Sequence, residues 1–348
     1  MMPFMRRLVF SFHFAVVCAL MLAALPSWCD QKPKKDNLQK PMAGPRATAL
    51  QVTWLYIAPD RGGQKVDRVQ PGREMVIAEK SGPWIRVYAN TDVQEVSEKD
   101  APIIGAPQDV PPPISGWMEA KGVVEENTPN GDQILMGEAT NQEALASDPR
   151  GPAHAAQTAR LMYRRLAEMF PNSPLAPEGA WRAADILWQI QKADVASRPS
   201  AHEKQAYMRE ELDDEEMKKI IKFYPQTRQA AMAAYALIDN KLCGDCQGDP
   251  KCPQKESEMY EKYAGEYPDG PRTAQALYQA VYRQAVLVDM YAADNNDKKS
   301  DSAKAHAHDL AARMKDKFAQ SDYTARALAI MFKIDQGIPE YGIERQSN

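Results

Sequence analysis

Phe170-Pro171-Asn172-Ser173 decides the fold, because its pattern returns as Tyr224-Pro225-Gln226-Thr227, Tyr267-Pro268-Asp269-Gly270 and Phe318-Ala319-Gln320-Ser321. Three residues after each aromatic stands a residue type suited to a helix N-cap: Ser173, Thr227, Gly270 or Ser321. Four residues before it stands Leu166, Ile220, Tyr263 or Met314, and seven before stands Tyr163, Met217, Tyr260 or Ala311. That spacing is one apolar stripe of a helix. Ten residues after the aromatic comes Ala180, Ala234, Leu277 or Leu328, which starts a matching stripe on the next helix. A repeated helix-turn-helix unit that cannot bury its face alone implies a stacked array, and such arrays bind rather than catalyse.

Working outward, the spacing predicts helix pairs at 152–170 and 174–193, 203–224 and 227–242, 254–267 and 271–293, and 303–318 and 322–335, within a repeat region at 151–336 and ahead of a tail at 337–348. The markers are 54, 43 and 51 residues apart, more than the roughly 34 of a standard tetratricopeptide unit. Extra residues are expected near 194–204, 243–253 and 294–302. The phrase Tyr163-Arg164-Arg165-Leu166, then Phe170-Pro171-Asn172-Ser173-Pro174 and Ala176, resembles the tetratricopeptide-like repeats of bacterial envelope proteins such as the outer-membrane assembly lipoprotein and the Tol-Pal accessory protein. The resemblance implies stacked pairs and protein partners. A partner site is expected on the concave surface, with Arg160, Arg164 and Arg165 as anchors. The competing reading is that these arginines solvate their helix and pair with Glu168 or Glu178.

Upstream, residues 1–29 read as an export signal: Arg6 and Arg7, an apolar stretch from Leu8 to Leu25, then a break at Pro26-Ser27. Cleavage after Ser27 or Cys29 is expected, with an uncleaved membrane anchor as the alternative; Trp28 before Cys29 argues against lipidation. The mature chain is then periplasmic or otherwise associated with the cell envelope, without an integral membrane domain. Residues 30–45 read as a flexible linker.

From residue 46 to 124 the texture is that of five short strands separated by Gly and Pro turns, which suggests a small β-barrel. Gly72-Arg73-Glu74, Ser81-Gly82-Pro83-Trp84-Ile85-Arg86-Val87 and Ser115-Gly116-Trp117-Met118 resemble a bacterial SH3-type domain. The departure is an insertion at about 91–114, ending in Pro111-Pro112-Pro113. Of the aromatic stock, Tyr56, Trp84 and Trp117 are the candidates for a ligand face, against a core role for each. Residues 125–150 are polar and lack sustained periodicity, and read as a linker. The fold class expected is therefore β plus α and multidomain: an SH3-like barrel followed by a tetratricopeptide-like array.

The net charge of −4, with no basic stripe interleaved with aromatics, argues against nucleic acid as a partner. Cys243, Cys246 and Cys252 are the clustered reactive residues. Haem attachment needs His where Gln247 stands, and zinc needs a fourth ligand that no nearby His supplies. A structural disulfide, a metal site and a redox-active pair stay open, the first favoured by an oxidising compartment. His154, His202, His306 and His308 fall on or beside helices, away from any nucleophile in a strand-to-helix turn. No cofactor or metal is expected. These readings point to a non-enzymatic adaptor or scaffold, its barrel binding peptide or peptidoglycan and its repeats binding protein. The alternative is an atypical cell-wall hydrolase or thiol oxidoreductase.

Overall fold

Strict alternation makes Trp84-Ile85-Arg86-Val87-Tyr88-Ala89 a strand with one buried face, Ile85, Val87 and Ala89 pointing inward. It is β5 (Trp84–Ala89) of seven strands in the computed structural model, which describes residues 44–92, 113–203, 206–243 and 248–340. The others are β1 (Arg46–Ala49), β2 (Thr53–Tyr56), β3 (Lys65–Val69), β4 (Glu74–Ser81), β6 (Ile114–Glu119) and β7 (Val123–Glu125). They form one sheet in the order β3-β2-β6-β5-β4-β1-β7, and every pairing is antiparallel. Leu55, Val69, Met75, Ile77, Ile85, Val87 and Met118 share one core with Ala47 and Ala49. The leader, nearly all of the N-terminal linker, most of the insertion, Cys246 and residues 341–348 lie outside the described residues. Every described residue falls in a unit that begins at Gly44.

Nine α-helices follow among the described residues: α1 (Gly131–Ala146), α2 (Ala155–Met169), α3 (Ala176–Ala196), α4 (Glu215–Phe223), α5 (Arg228–Ala236), α6 (Lys251–Glu266), α7 (Thr273–Ala293), α8 (Asp297–Lys317) and α9 (Asp322–Asp335). The four sequence markers are four copies of one turn. Phe170, Tyr224, Tyr267 and Phe318 terminate α2, α4, α6 and α8 with φ of −123°, −127°, −126° and −127°. Each donates its backbone N–H to the residue four before, and its carbonyl accepts from the residue three after. The stripe positions before them are buried, from Leu166 and Met314 at 0% exposure to Tyr260 at 5%.

Two cap expectations hold in place: Thr227 accepts from Ala230 N–H at 3.1 Å, and Ser321 from Tyr323 N–H at 3.3 Å. At Ser173 and Gly270 the helix starts later, with Leu175 and Arg272 at the boundary. Ser173 instead accepts from Leu175 N–H at 3.0 Å and donates to Asp132 at 2.6 Å, which draws α1 to the turn.

Residues 125–150 are not a linker along their length. Gly131–Ala146 is α1, and it packs along α2. Its buried residues Leu135 and Ala139 meet two cores, one holding Val124 of β7 with Leu166 and Ala176, the other holding Ala159, Met162 and Tyr163. The sheet and the first helices therefore meet directly. The turn between β3 and β4 touches α2: Gly72 has φ +77°, and a Cβ there would lie 2.7 Å from Leu161 Cβ and 3.0 Å from Met162 N. Only glycine suits both the backbone and the approach.

Candidate functional site

The outward face of the sheet gathers the three aromatics expected to form a ligand face. Tyr56 on β2 sits directly opposite Trp117 on β6, and Trp117 sits opposite Arg86 on β5. Directly opposed residues project from the same face. Trp84, two residues before Arg86, shares that face, and its ring meets Tyr56 edge-on at 5.7 Å between centroids. Because β6 lies between β2 and β5, this contact spans the strand that carries Trp117. All three residues are half-buried. Edge-to-face packing of this kind fixes ring orientation.

The face continues onto residues the aromatic reading does not reach. Trp54, two before Tyr56, is 38% exposed, with Lys65 Nζ 4.4 Å and Arg68 Cζ 5.2 Å from its ring centroid. Arg86 lies 4.0 Å from Glu79. Arg61 clasps Glu119 through two nitrogens, one of them Nη2 to Oε2 at 2.8 Å. That hydrogen bond holds the Glu119 carboxyl below the usual carboxylate range. The outcome is an aromatic strip edged by cations. Period-2 alternation of Trp54 with Tyr56, carried across the β2–β3 hairpin to Arg68, is the sequence signal that could have found it.

The three arginines expected to anchor a partner are placed differently from one another. Arg160 and Arg165 are 0% exposed, so they are not on an open concave surface. Arg165 turns toward the sheet: Nη1 is 2.6 Å from Glu168 Oε2 and 3.3 Å from Glu74 Oε2, and Nη2 is 3.6 Å from Asp92 Oδ2. Arg73 reaches the same Asp92 oxygen at 2.9 Å. Arg46 pairs with Glu74 and also, at 3.1 Å, with Glu168. The physical reason is the direct contact of sheet and α2, which turns a helix face read as solvent-exposed into an interface. Burial pulls the Arg165 guanidinium down from its ordinary value, against Glu168, Asp92 and Glu74. Burial pushes the Glu168 carboxyl up, but Arg165, Arg164 and Arg46 outweigh it and hold that carboxyl below its ordinary value.

Arg164 alone of the three lines an open cleft. It pairs with Glu168 at 2.8 Å beside a cavity of about 180 Å³ that Lys219, Phe223 and Tyr224 also line. Phe223 is 64% exposed there. A larger cleft of about 630 Å³ lies among α6, α7 and α8, lined by Glu258, Glu261, Gln284, Tyr291, Lys299 and His306. His306 Nε2 is 3.0 Å from Glu261 Oε2, and His308 Nε2 is 3.1 Å from Asp335 Oδ1.

Of the cysteines, Cys243 is a free thiol and Cys252 is disulfide-bonded. Cys243, Cys252 and Glu256 have the spacing of metal ligands, their donor atoms all within 4.8 Å of one another. Two of the three donors are otherwise engaged: the Cys252 sulfur is in its bond, and Glu256 Oε2 is 2.6 Å from Arg283 Nε.

No known protein family matches the chain, and no curated protein matches it. Among solved structures the DHF79 filament is similar at 14% identity, over 57% of this chain and 95% of its own, with a TM-score of 0.22. A likeness at that score carries no argument about fold or function. Among the described residues, no helix is long and apolar enough to cross a membrane.

Proposed function

We propose that this chain is a non-enzymatic adaptor or scaffold of the bacterial cell envelope, exported by its leader. The sheet acts as an SH3-like barrel that holds an extended peptide or a peptidoglycan strand, and the helices act as tetratricopeptide-like repeats that hold a protein. The aromatic strip carries this reading. Tyr56, Trp84 and Trp117 converge on one open face, with Trp54 and its two cations alongside. Half-buried aromatic rings with a polar border suit sugar faces or proline-type backbone, because they offer large rigid area at low entropy cost. The cleft at Arg164, Lys219 and Phe223 supports a second contact surface on the repeats.

Cosedimentation with purified cell wall tests the first half. The full chain should be retained, and Trp84→Ala with Trp117→Ala should weaken retention about tenfold or more, since each lost anchor is worth roughly 1–2 kcal/mol. Circular dichroism should stay unchanged. Equal retention of the folded double variant would remove the aromatic strip from the binding surface.

A further inference from the structure

Gln254, Glu258 and Glu261 stand at i, i+4 and i+7 on α6, a spacing that sets them on one face of the helix. That face is one wall of the cleft of about 630 Å³ among α6, α7 and α8. The buried Gln284 and Leu287 of α7 form its floor, and α8 supplies the other wall from Lys299 to His306. Two turns of each helix make the cleft about 10 Å long.

The hydrogen bonds in it have a direction. Ser257 Oγ donates to Glu261 Oε1 at 2.9 Å, since a carboxylate oxygen only accepts. Having given its one proton, the same Oγ accepts from Gln284, so the Gln284 atom 2.9 Å away is Nε2. Gln284 is 8% exposed, lines the cleft, and has no donor to its Oε1 among the described residues. Glu261 Oε2 is 3.0 Å from His306 Nε2, which makes Nε2 the protonated nitrogen and leaves Nδ1 of the neutral ring an acceptor. Glu258 is exposed on the same wall; it accepts from Gln254 Nε2 at 3.2 Å and has no ion pair among the described residues. A buried amide oxygen without a donor and a carboxylate without a counter-ion both call for N–H groups. Lys299 does not supply them. Its Nζ stands 5.3 Å from the ring centroid of Tyr291, two turns along α7 from Gln284. Acceptors therefore gather at one end of the cleft and a cation at the other, with the apolar Leu287 between them.

We propose that this cleft binds a Lys or Arg side chain carried by an extended segment of a partner protein. The ammonium or guanidinium donates to Gln284 Oε1 and Glu258, its aliphatic stem lies on Leu287, and the carbonyl that follows it in the partner faces Lys299. The site names a partner chemistry for the repeats, and in that respect rests on their reading as a protein-binding surface. It is separate from the aromatic strip, so the cosedimentation test on the sheet and the test of this cleft fail independently.

The probes are acetylated, amidated tripeptides Ala-Arg-Ala, Ala-Lys-Ala and Ala-Glu-Ala, titrated into the full chain at low salt. Saturation-transfer NMR gives a dissociation constant for each. The two basic peptides should bind at least tenfold more tightly than the acidic one. Glu258→Gln, an exposed change that leaves the fold in place, should weaken them about fivefold or more. Gln284→Met, which keeps the volume and removes the amide oxygen, should do the same with unchanged circular dichroism. Glu126→Gln removes one carboxylate near the sheet and should leave binding as it was. Three results would overturn the proposal: equal affinity for the acidic peptide, an unaltered titration in Glu258→Gln, or an equal loss in Glu126→Gln, which would mean diffuse attraction to the chain's negative charge. Spermidine binding more tightly than either basic peptide would overturn the protein source and assign the cleft to small amines. Glu258→Gln decides the matter even where Gln284→Met fails to fold.

Discussion

Arg165 has no exposed surface, yet three carboxylates from two parts of the fold lie within 4.0 Å of its guanidinium. Its fork can serve them because a guanidinium presents several donors in one plane, which a lysine ammonium cannot do. Removing one member of a buried ion network typically costs about 3–5 kcal/mol when it strands a charge. Here Arg46, Arg73 and Arg164 stay beside Glu74, Asp92 and Glu168, so the loss should sit lower. Arg165→Met should reduce unfolding free energy by about 2–3 kcal/mol in urea titrations, whereas a change below ~0.5 kcal/mol would mean the network contributes little. The same network makes a pH prediction. Glu168 is held below its ordinary value of 4.5 in the folded chain, so its stabilising contribution is present above that value and lost as pH falls through the folded one. The melting temperature should fall as pH drops from about 5 toward 3, and more shallowly in Glu168→Gln.

At the level of elements, the turns inside the helix pairs were legible because each marker packs a terminator, a turn and a buried stripe into eleven residues or so; the outer bounds were not, since the helix expected over 203–224 spans only Glu215–Phe223 and the 294–302 stretch expected between pairs already holds the start of α8 at Asp297. Four aromatic terminators share one backbone conformation, which is why a purely local pattern sufficed. The helix α1 was not legible for the opposite reason. Its deepest contacts are Leu135 and Ala139, one of them a methyl group, and its partners are spread over three elements, β7, α2 and α3. No periodicity in residues 125–150 announces a face that small. The burial of Arg165 was hidden likewise, since the sheet that covers it lies far away in the chain. At the other end, Leu328 was read as a stripe residue but is 42% exposed, with Phe332 one turn on at 64%; among the described residues no later pair packs on that face. Two measurements follow. Leu135→Ala should cost about 3 kcal/mol in urea unfolding, as for a fully buried leucine with little room to collapse. Thr227→Ala should cost about 1 kcal/mol, since it leaves the Ala230 N–H without its cap. A neutral Leu135→Ala would return α1 to the status of a connecting segment.

For the molecule as a whole, the decisive point is that the sheet and the first three helices share a core instead of hanging on a tether. Val124 of the sheet packs with Leu135, Leu166 and Ala176 of three helices, and Gly72 rests against Leu161 and Met162. Elements that share buried contacts open as one cooperative unit, whereas helices outside that shared core can open separately. Hydrogen exchange read by mass spectrometry should therefore give peptides from β4, β5 and α2 the same opening free energy, and allow a lower one for α8 and α9. Two glycines make the test specific. Gly72 and Gly82 both have positive φ, +77° and +56°, so valine strains the backbone at either. A Cβ at Gly82 meets nothing within 4 Å, while one at Gly72 is driven into α2. Gly82→Val should lower protection in β4 and β5 and leave α2 moving with them. Gly72→Val should add the wedge, so that sheet peptides and α2 peptides separate into two opening free energies. Equal behaviour of the two variants would mean that strain within the turn, and not contact with α2, is what Gly72 relieves; separate openings in the unaltered chain would mean that sheet and helices are independent despite their shared core.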